Sequence, residues 1–565
     1  METSPQGKQS SETLFVFVSL LTLLSLVVAQ TVYEILAGNP DFLAVREVSG
    51  GQLLEIVAMF SLLPALGLFL IWAGLRWWSP WAARVFFCLV SSIFFFAFLL
   101  QVHNTYVVYS EAWMNFWLAV GVLRFTYLAW APVALLLGLS YLRYEKTFRL
   151  FLWALSPAIL LFPPLFLWRA WPEAVAAEPV RAAQPAVKQP KEMPPIFILV
   201  LDEVSLPILL DESGNIDDWR FRNLRALAAE SYWFRNATAN ADHTLLSVPV
   251  MLTGNYAHGA VASYRRYPNT LFTLLGPYYD IHAREVNTTL CDPRRFHCPE
   301  VEIAANRREL LRDAYLLYLA RQLPKDTDIA LPEMTRTWGP FYSNVEMMAA
   351  RIKRYDEFIY WLPAVRAERT LVYFHELNPH SPYLLNTHGY IMEKRSPIQF
   401  EPKQAGNEEL LARVRSYYLE QMVYTDQQVG GLVMRLKELG WYDKSLLIVV
   451  GDHGVSYSAE SPGRFLHEGA DPDLVLRIPL FMKLPGQTQG VVSDADVQHI
   501  DILPTVAALL GLEVPWPHAG RNAFGDNLEF RTRIVYDHMD GRHEYPSAPG
   551  ARLSKTTEKL SADPK

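Results

Sequence analysis

The apolar residues of this 565-residue chain are concentrated before about Trp171, and the remainder reads as an ordinary globular mixture. Five stretches, 14–35, 53–75, 85–101, 125–142 and 150–168, approach the length of roughly 20 apolar residues that spans a hydrocarbon core about 30 Å thick. The pattern predicts about five membrane helices within residues 1–169. Residues 112–123 are also apolar but precede Arg124, and read as an interfacial helix leading into the fourth span, which keeps that charge out of the hydrocarbon. Residues 170–195 are rich in Ala and Pro, the composition of a semi-stiff, partly extended linker. Beyond it the pattern changes. Unalternating apolar runs at 196–201, 370–374, 446–450 and 478–482 are separated by helical patterns such as 410–439, with a break expected near Gly430 and Gly431, and 503–510. Continuous apolar strands alternating with helices predict a mostly parallel sheet sandwiched by helices, an α/β domain over residues 196–545 followed by a disordered tail at 546–565.

Charge then orients the spans. Lys8 precedes the first, Arg76 and Arg84 flank the second loop, and Arg143, Lys146 and Arg149 fill the fourth. The positive-inside rule places these in the cytoplasm, so an odd number of spans delivers the C-terminal domain to the outer face of the plasma (inner) membrane. Trp77, Trp78, Trp81, Trp168 and Trp171 lie at span ends, where an aromatic belt is expected. The first span reads as an uncleaved anchor, with a signal peptide cut near Ala29 as the alternative. A net charge of −7 and the lack of any long basic run exclude nucleic acid as a natural partner. Of three cysteines, Cys88 lies in an apolar stretch and reads as a buried inert thiol, whereas Cys291 and Cys298 are close together in a polar segment and are expected to pair in an oxidising compartment.

In a sheet of this kind, sites lie beyond the carboxyl ends of the strands. Asp202 and Glu203 follow the first strand, Gly451-Asp452-His453-Gly454 follows the third, and His375 ends the second, with Pro379-His380-Ser381-Pro382-Tyr383 just after it. Each alone is as readily a helix cap or a surface ion pair. Together, carboxylates and imidazole at three strand ends suit a divalent metal: Zn or Mn, or Ca for a purely carboxylate subset.

The segment Asp242-His243-Thr244-Leu245-Leu246-Ser247-Val248-Pro249, closing with Leu252-Thr253-Gly254, completes a pattern. Asp-Glu after a strand, a nucleophile some 40 residues on and a late Gly-Asp-His-Gly resemble the alkaline phosphatase superfamily, which includes arylsulfatases, phosphoethanolamine transferases and lipoteichoic acid synthases. Tyr424-Thr425-Asp426 and His499-Ile500-Asp501-Ile502-Leu503-Pro504-Thr505 are similar to it as well. In sulfatases the nucleophile lies nine residues before the Thr of Leu-Thr-Gly, which here is Thr244. Thr-x-x-Ser-x-Pro is most similar to the phosphoethanolamine transferases. The resemblance implies a metal held by Glu203, Thr244, Asp452 and His453, with Asp202 as a further ligand. It makes His380 and His467 the groups that hold phosphate oxygens or protonate the leaving group. Physically, a threonine hydroxyl becomes a nucleophile when a cation lowers its pKa; the plain alternative for Thr244 is a helix N-cap, and the two roles are compatible. Asp501 reads as a cap of the helix after it. The formylglycine route of sulfatases needs Cys or Ser in Cys-x-Pro-x-Arg, and Thr244, Leu246 and Val248 stand there instead. Asp202 replaces the Gly usual before the metal Glu of the transferases.

The expectation is a membrane-embedded, metal-dependent transferase. It moves a phosphoethanolamine- or phosphoglycerol-type group from a phospholipid donor through Thr244 to a lipid or glycan acceptor. The alternatives are a tethered phosphodiesterase or sulfatase-family hydrolase that uses water, and a non-catalytic anion sensor.

Overall fold

The computed structural model describes residues 5–39, 43, 48–104, 123–175, 192–299, 307–323, 344–392, 395 and 406–546, apart from short gaps at 260, 367, 458–461, 464, 467–470, 526–527 and 540. The predicted interfacial helix, all but its last residue, and the tail beyond 546 lie outside them. The chain divides into two compact units, one of Met1–Ala177 with Ile303–Thr335, the other of Glu178–Glu302 with Arg336–Lys565.

In the first unit, α1 (Ser11–Ala37), α2 (Gly50–Trp78) and α3 (Pro80–Val102) are long and apolar enough to cross a membrane. The fourth predicted span folds as α4 (Leu123–Arg143), whose Leu128–Arg143 portion falls among the shorter apolar helices. The fifth is α5 (Glu145–Trp171), so four helices rather than five meet the length criterion among the described residues. Phe15, Phe87, Tyr141 and Phe148 form a buried edge-to-face and stacked cluster that knits α1, α3, α4 and α5 together. Trp77, Trp78, Trp81 and Trp168 are exposed. The last helix continues to Val175, past the expected start of the linker at 170, and its Trp171 ring packs over Gly50, where a Cβ would come within 2.9 Å of it. Helix Arg307–Gln322, from within the region expected to be wholly catalytic, belongs to this unit. It packs on the C-terminal ends of α1 and α3, burying Leu310, Ala314 and Leu317, and the Asn104 amide donates to the Arg321 carbonyl (2.9 Å).

The second unit is built on strands β1 (Ile196–Leu201), β2 (Tyr232–Phe234), β3 (Asp280–Arg284), β4 (Thr370–Glu376), β5 (Leu446–Gly451), β6 (Leu480–Lys483) and β7 (Val491–Ser493), in the order β3-β4-β1-β5-β6-β2-β7. β3, β4, β1 and β5 are mutually parallel, β6 is antiparallel to β5 and β2, and β2 is parallel to β7. The sheet is mostly parallel, as the unalternating runs require, and β1, β4 and β5 are buried along their whole length. Its principal helices are α6 (Thr244–Thr253), α7 (Asn344–Trp361), α8 (Glu408–Glu438) and α9 (Ile502–Leu509). On one face Phe197, Leu199, Phe374 and Val449 pack with Tyr355 and Phe358 of α7 and Tyr418, Val429 and Leu432 of α8, with the Phe358 and Phe374 rings stacked at 4.0 Å. On the other, Phe272 meets Tyr373 edge-on at 5.4 Å. Contrary to expectation, α8 runs unbroken through Gly430 and Gly431. These glycines serve close packing, since a Cβ at 430 would lie 2.2 Å from Asn223 Oδ1 and one at 431 would lie 2.8 Å from the Tyr355 hydroxyl.

Register positions the site. Leu201 is level with both Glu376 and Gly451, so β1, β4 and β5 end together. Asp202, His375 and Asp452 are thereby delivered to one place by backbone pairing alone.

Candidate active site

At this shared strand end Asp202, His375, Asp452 and His453 are completely buried. His375 Nε2 lies 3.8 Å from Asp202 Oδ2 and 3.9 Å from Asp452 Oδ2. His453 Nε2 lies 3.8 Å from Asp202 Oδ1 and 3.7 Å from Asp452 Oδ2. These gaps are too wide for hydrogen bonds but fit ligands of one ion, which sit about 2.0–2.5 Å from the metal and so up to about 4–5 Å apart. His453 Nδ1–H donates to its neighbour's carbonyl, Gly454 O (3.0 Å), which leaves Nε2 buried without a hydrogen-bond partner and its lone pair directed at the carboxylates. An orphaned buried imidazole nitrogen facing two buried carboxylates is costly without a cation and well satisfied with one, so the residues fit a divalent metal. Two imidazoles and two carboxylates favour the zinc class over calcium.

Thr244 opens α6, and its hydroxyl donates to Asp452 Oδ2 (2.8 Å) rather than capping its own helix. The N-cap alternative is thereby set aside, and the hydroxyl sits at a helix N-terminus, where developing negative charge is favoured. Asp452 Oδ1 accepts from the backbone N–H of Glu203 (3.0 Å) and of His453 (2.7 Å). Burial works against an ionised Asp452, but the facing His453 and His375, the Glu203 N–H and the Thr244 hydroxyl outweigh it, and the carboxyl is held below its usual range. Burial pushes His375 down to about 4, keeping the imidazole in its neutral, ligating form.

The turn bearing these groups is tight. Glu203 has φ +65, a left-handed conformation costing on the order of 1–3 kcal/mol for a non-glycine residue, and the Tyr418 hydroxyl secures it by donating to its carbonyl (2.8 Å). A Cβ on Gly454 would lie 2.1 Å from the Leu474 carbonyl, which explains the second glycine of Gly-Asp-His-Gly.

Glu203, like His453, is not among the three residues, Asp202, His375 and Asp452, whose donor atoms all lie within 4.8 Å of one another. Its Oε2 accepts from the Tyr383 hydroxyl (2.9 Å) and the Ser381 N–H (3.2 Å), and Oε1 lies 3.9 Å from His380 Nε2. His380 Nδ1–H donates to the Ser381 carbonyl (2.7 Å), so Nε2 is the edge presented to Glu203. Buried Arg351 holds this loop by donating to the carbonyls of His380 (2.5 Å) and Ser381 (2.7 Å), and Arg354 donates to the carbonyl of His375 (2.6 Å). His467 lies outside the described residues. The Leu466 N–H before it donates to Asp242 Oδ2 (2.8 Å), two residues ahead of Thr244.

Sequence reasoning did not single out Arg351 or Arg354, and met His499 only as the first residue of the His-Ile-Asp-Ile-Leu-Pro-Thr segment. Arg351 sits among Met348, Tyr355 and Phe358 on the buried stripe of α7, and a charge on an apolar stripe is a readable signal. His499 donates through Nε2 to the Gly451 carbonyl (2.8 Å), bracing the motif from behind. Asp501 does not cap α9. It accepts two 2.6 Å bonds from Arg531 and the Gln498 N–H (2.8 Å). Asp426 accepts the N–H groups of Asn223 and Leu224, a structural cap of helix Arg222–Ala228. Cys291 and Cys298 form the expected disulfide, and Cys88 is a buried free thiol.

Among known proteins, an endo-4-O-sulfatase of Bacteroides thetaiotaomicron is 27% identical over 214 residues, 33% of this chain and 41% of that one. The lipoteichoic acid synthase-like YvgJ of Bacillus subtilis is 30% identical over 120 residues, 20% of this chain and 19% of that one. The catalytic subunit of GPI ethanolamine phosphate transferase 3 of Mus musculus is 28% identical over 126 residues, 22% of this chain and 10% of that one. The aligned stretches span less than half the length of each relative. Residues 321–512 match the family model described as Sulfatase, a span that takes in His375, Asp452 and His453. With these relatives, the chain carries a sulfatase-family domain of the alkaline phosphatase superfamily.

Proposed function

We propose that the protein is a membrane-tethered transferase that takes a phospho-substituent, of phosphoethanolamine or phosphoglycerol type, from a phospholipid onto Thr244 and passes it to a lipid or glycan acceptor on the outer side of the plasma membrane. The observation that carries this reading is the Thr244 hydroxyl, at a helix N-terminus and bonded at 2.8 Å to Asp452 of the buried carboxylate–imidazole cluster. Asp202, His375, Asp452 and His453 would hold the cation, with Glu203 and Thr244 completing its surroundings. The cation would neutralise negative charge on the transferred group and favour the alkoxide of Thr244.

In the first half-reaction the Thr244 oxygen, oriented by its hydrogen bond to Asp452 and with its proton released to solvent, attacks phosphorus, and the bond from phosphorus to the diacylglycerol oxygen breaks. His380, whose Nε2 edge faces Glu203, is placed to hold the phosphoryl oxygens or to protonate the departing oxygen, and His467 shares that task. The second half-reaction repeats the displacement with an acceptor hydroxyl attacking phosphothreonine. Support for a lipid donor comes from the four apolar helices and from two relatives whose names denote ethanolamine phosphate transfer and lipoteichoic acid synthesis. Support for the outer location comes from helix Arg307–Gln322. It packs at the ends of α1 and α3 opposite the loops that carry Arg76, Arg84 and Arg143.

The test supplies headgroup-labelled phosphatidylethanolamine and phosphatidylglycerol separately to enzyme-bearing membranes with native envelope extract. The expected result is label on a non-water acceptor, diacylglycerol released, and no reaction with Thr244→Ala. Label found only as free headgroup phosphate would replace the transferase with a hydrolase. Turnover of aryl phosphodiesters without either lipid would remove the lipid donor and leave the threonine chemistry standing.

A further inference from the structure

A second cluster of metal-ligating side chains lies on the sheet edge, outside the site described above. Asp280 and His282 are two residues apart on β3, an outermost strand, and so point to the same face. His297 is brought beside them by a short parallel pairing in which the Ala283 N–H donates to the His297 carbonyl (2.9 Å) and the His297 N–H to the Ile281 carbonyl (3.0 Å). The next residue, Cys298, closes the loop through its disulfide to Cys291. Backbone pairing and a covalent bond thus both fix where His297 stands.

The side chains converge. The two imidazole rings are stacked with centroids 4.5 Å apart and planes inclined by 10°, and the His282 ring rests 5.1 Å from that of Trp361. Asp280 Oδ2 lies 3.0 Å from His282 Nε2, and Oδ1 lies 3.3 Å from His297 Nε2. One donor atom from each residue falls within 4.8 Å of the others. Tetrahedral zinc, with ligand distances near 2.1 Å, sets neighbouring ligands about 3.4 Å apart, close to both imidazole–carboxylate separations. Two imidazoles and a carboxylate on a partly exposed edge also leave room for water to complete the coordination, a donor set that suits zinc, nickel or copper rather than calcium or magnesium.

We propose that Asp280, His282 and His297 form a second divalent-metal site of the zinc class, which clamps the disulfide-closed loop onto the edge strand β3. Binding moves each imidazole proton from Nε2 to Nδ1 and places the ion where the carboxylate–imidazole hydrogen bonds stand in its absence, so no net proton is lost. The occupied clamp covers part of an otherwise open sheet edge.

The experiment uses full-length protein stripped with a chelator and titrated with Zn²⁺ by calorimetry and with Co²⁺ by its visible absorption. Wild type is expected to bind one more ion per chain than His297→Ala or Asp280→Asn, with at least a hundredfold tighter binding of that ion than either variant retains. Turnover of an aryl phosphodiester is expected to be unchanged in both. His297 is 66% exposed, so its replacement removes only the stacking on His282 and leaves the core intact, and Asp280→Asn removes charge without changing volume. Retention of the Cys291–Cys298 disulfide in thiol labelling reports that the loop is folded. Equal stoichiometry in wild type and both folded variants, or binding weaker than millimolar in wild type, would overturn the proposal.

Discussion

Removing the cation from the buried site is expected to lower the thermal midpoint of the sheet-containing unit by about 5 °C. Carboxylate oxygens of Asp202 and Asp452 lie within 4.8 Å of one another and away from solvent. Two like unit charges no farther apart than that repel by at least about 3.5 kcal/mol at an effective dielectric constant of about 20. An ion between them reverses the sign of the interaction, and at saturation its binding adds stability of similar size, about 2.7 kcal/mol at a hundredfold excess over Kd. A unit of roughly 350 residues unfolds with an entropy of about 0.7 kcal/mol/K, so about 3.5 kcal/mol corresponds to about 5 °C. The assay is differential scanning calorimetry in detergent, with chelator and then after zinc repletion. It is run in the His297→Ala background so that the surface cluster contributes nothing. Asp202→Asn keeps the shape and removes one charge, so its chelated form should be nearly as stable as its zinc-treated form, with a shift under about 2 °C. An equal chelator-induced shift in the parent and Asp202→Asn would refute the reasoning, because the buried like charges would then not be the origin of the metal's effect.

Thr244→Ala should lose at least ~10³-fold in turnover while giving up only about 1–3 kcal/mol of stability for one hydrogen bond to a buried carboxylate, and Thr244→Ser should retain measurable turnover. Aryl phosphodiester hydrolysis alongside calorimetry checks both halves, and near-normal turnover in the Ala variant would remove Thr244 as nucleophile. Gly454→Ala should destabilise by more than about 3 kcal/mol, since its Cβ meets a backbone carbonyl at 2.1 Å, and a chemical-denaturation midpoint unchanged from wild type would contradict the turn geometry. Burial holds His499 at about 4 against an ordinary value of about 6.5. A depressed folded pKa means that its stabilisation is complete above pH 6.5 and lost as pH falls toward 4. The loss is about 3 kcal/mol over that window, so His499→Gln should flatten the acid limb of a stability–pH curve, and an unaltered slope would count against it.

The sheet was legible because its strands are buried on both faces and therefore carry apolar residues without interruption. Strand β1 was read with its observed bounds, and 370–374 and 446–450 fell one or two residues short. Short β2 and β7 lack such runs and passed unseen. Asp202, Thr244, Asp452 and His453 could be singled out as candidates because each sits beyond a strand end or at the start of a motif. His375 was harder to read. It ends β4 facing the site, yet a histidine inside an apolar run looks equally like a satisfied core residue, and only the register Leu201↔Glu376 brings it level with Asp202. The resemblance, with Asp202 as a further ligand, put Glu203 among the groups holding the metal. The left-handed turn directs its carboxylate toward Tyr383 and Ser381 instead, and local backbone conformation of that kind leaves no mark in residue spacing. The association of helix Arg307–Gln322 with the apolar helices was likewise invisible, because its composition is that of an ordinary amphipathic surface helix.

That helix bears on how the protein can be handled. Cutting within 176–191 would seem to free everything downstream as a water-soluble enzyme. The downstream fragment would still carry Leu310, Ala314 and Leu317, spaced four and three residues apart on a surface that in the intact chain rests against α1 and α3. A shortened polypeptide starting at 196 would present that stripe to water and is expected to need detergent or to self-associate. Limited proteolysis in native membranes is expected to nick the chain without releasing the enzyme into the supernatant. Replacing the three apolar residues with Gln, Lys and Glu is the route to a fragment that stays dispersed.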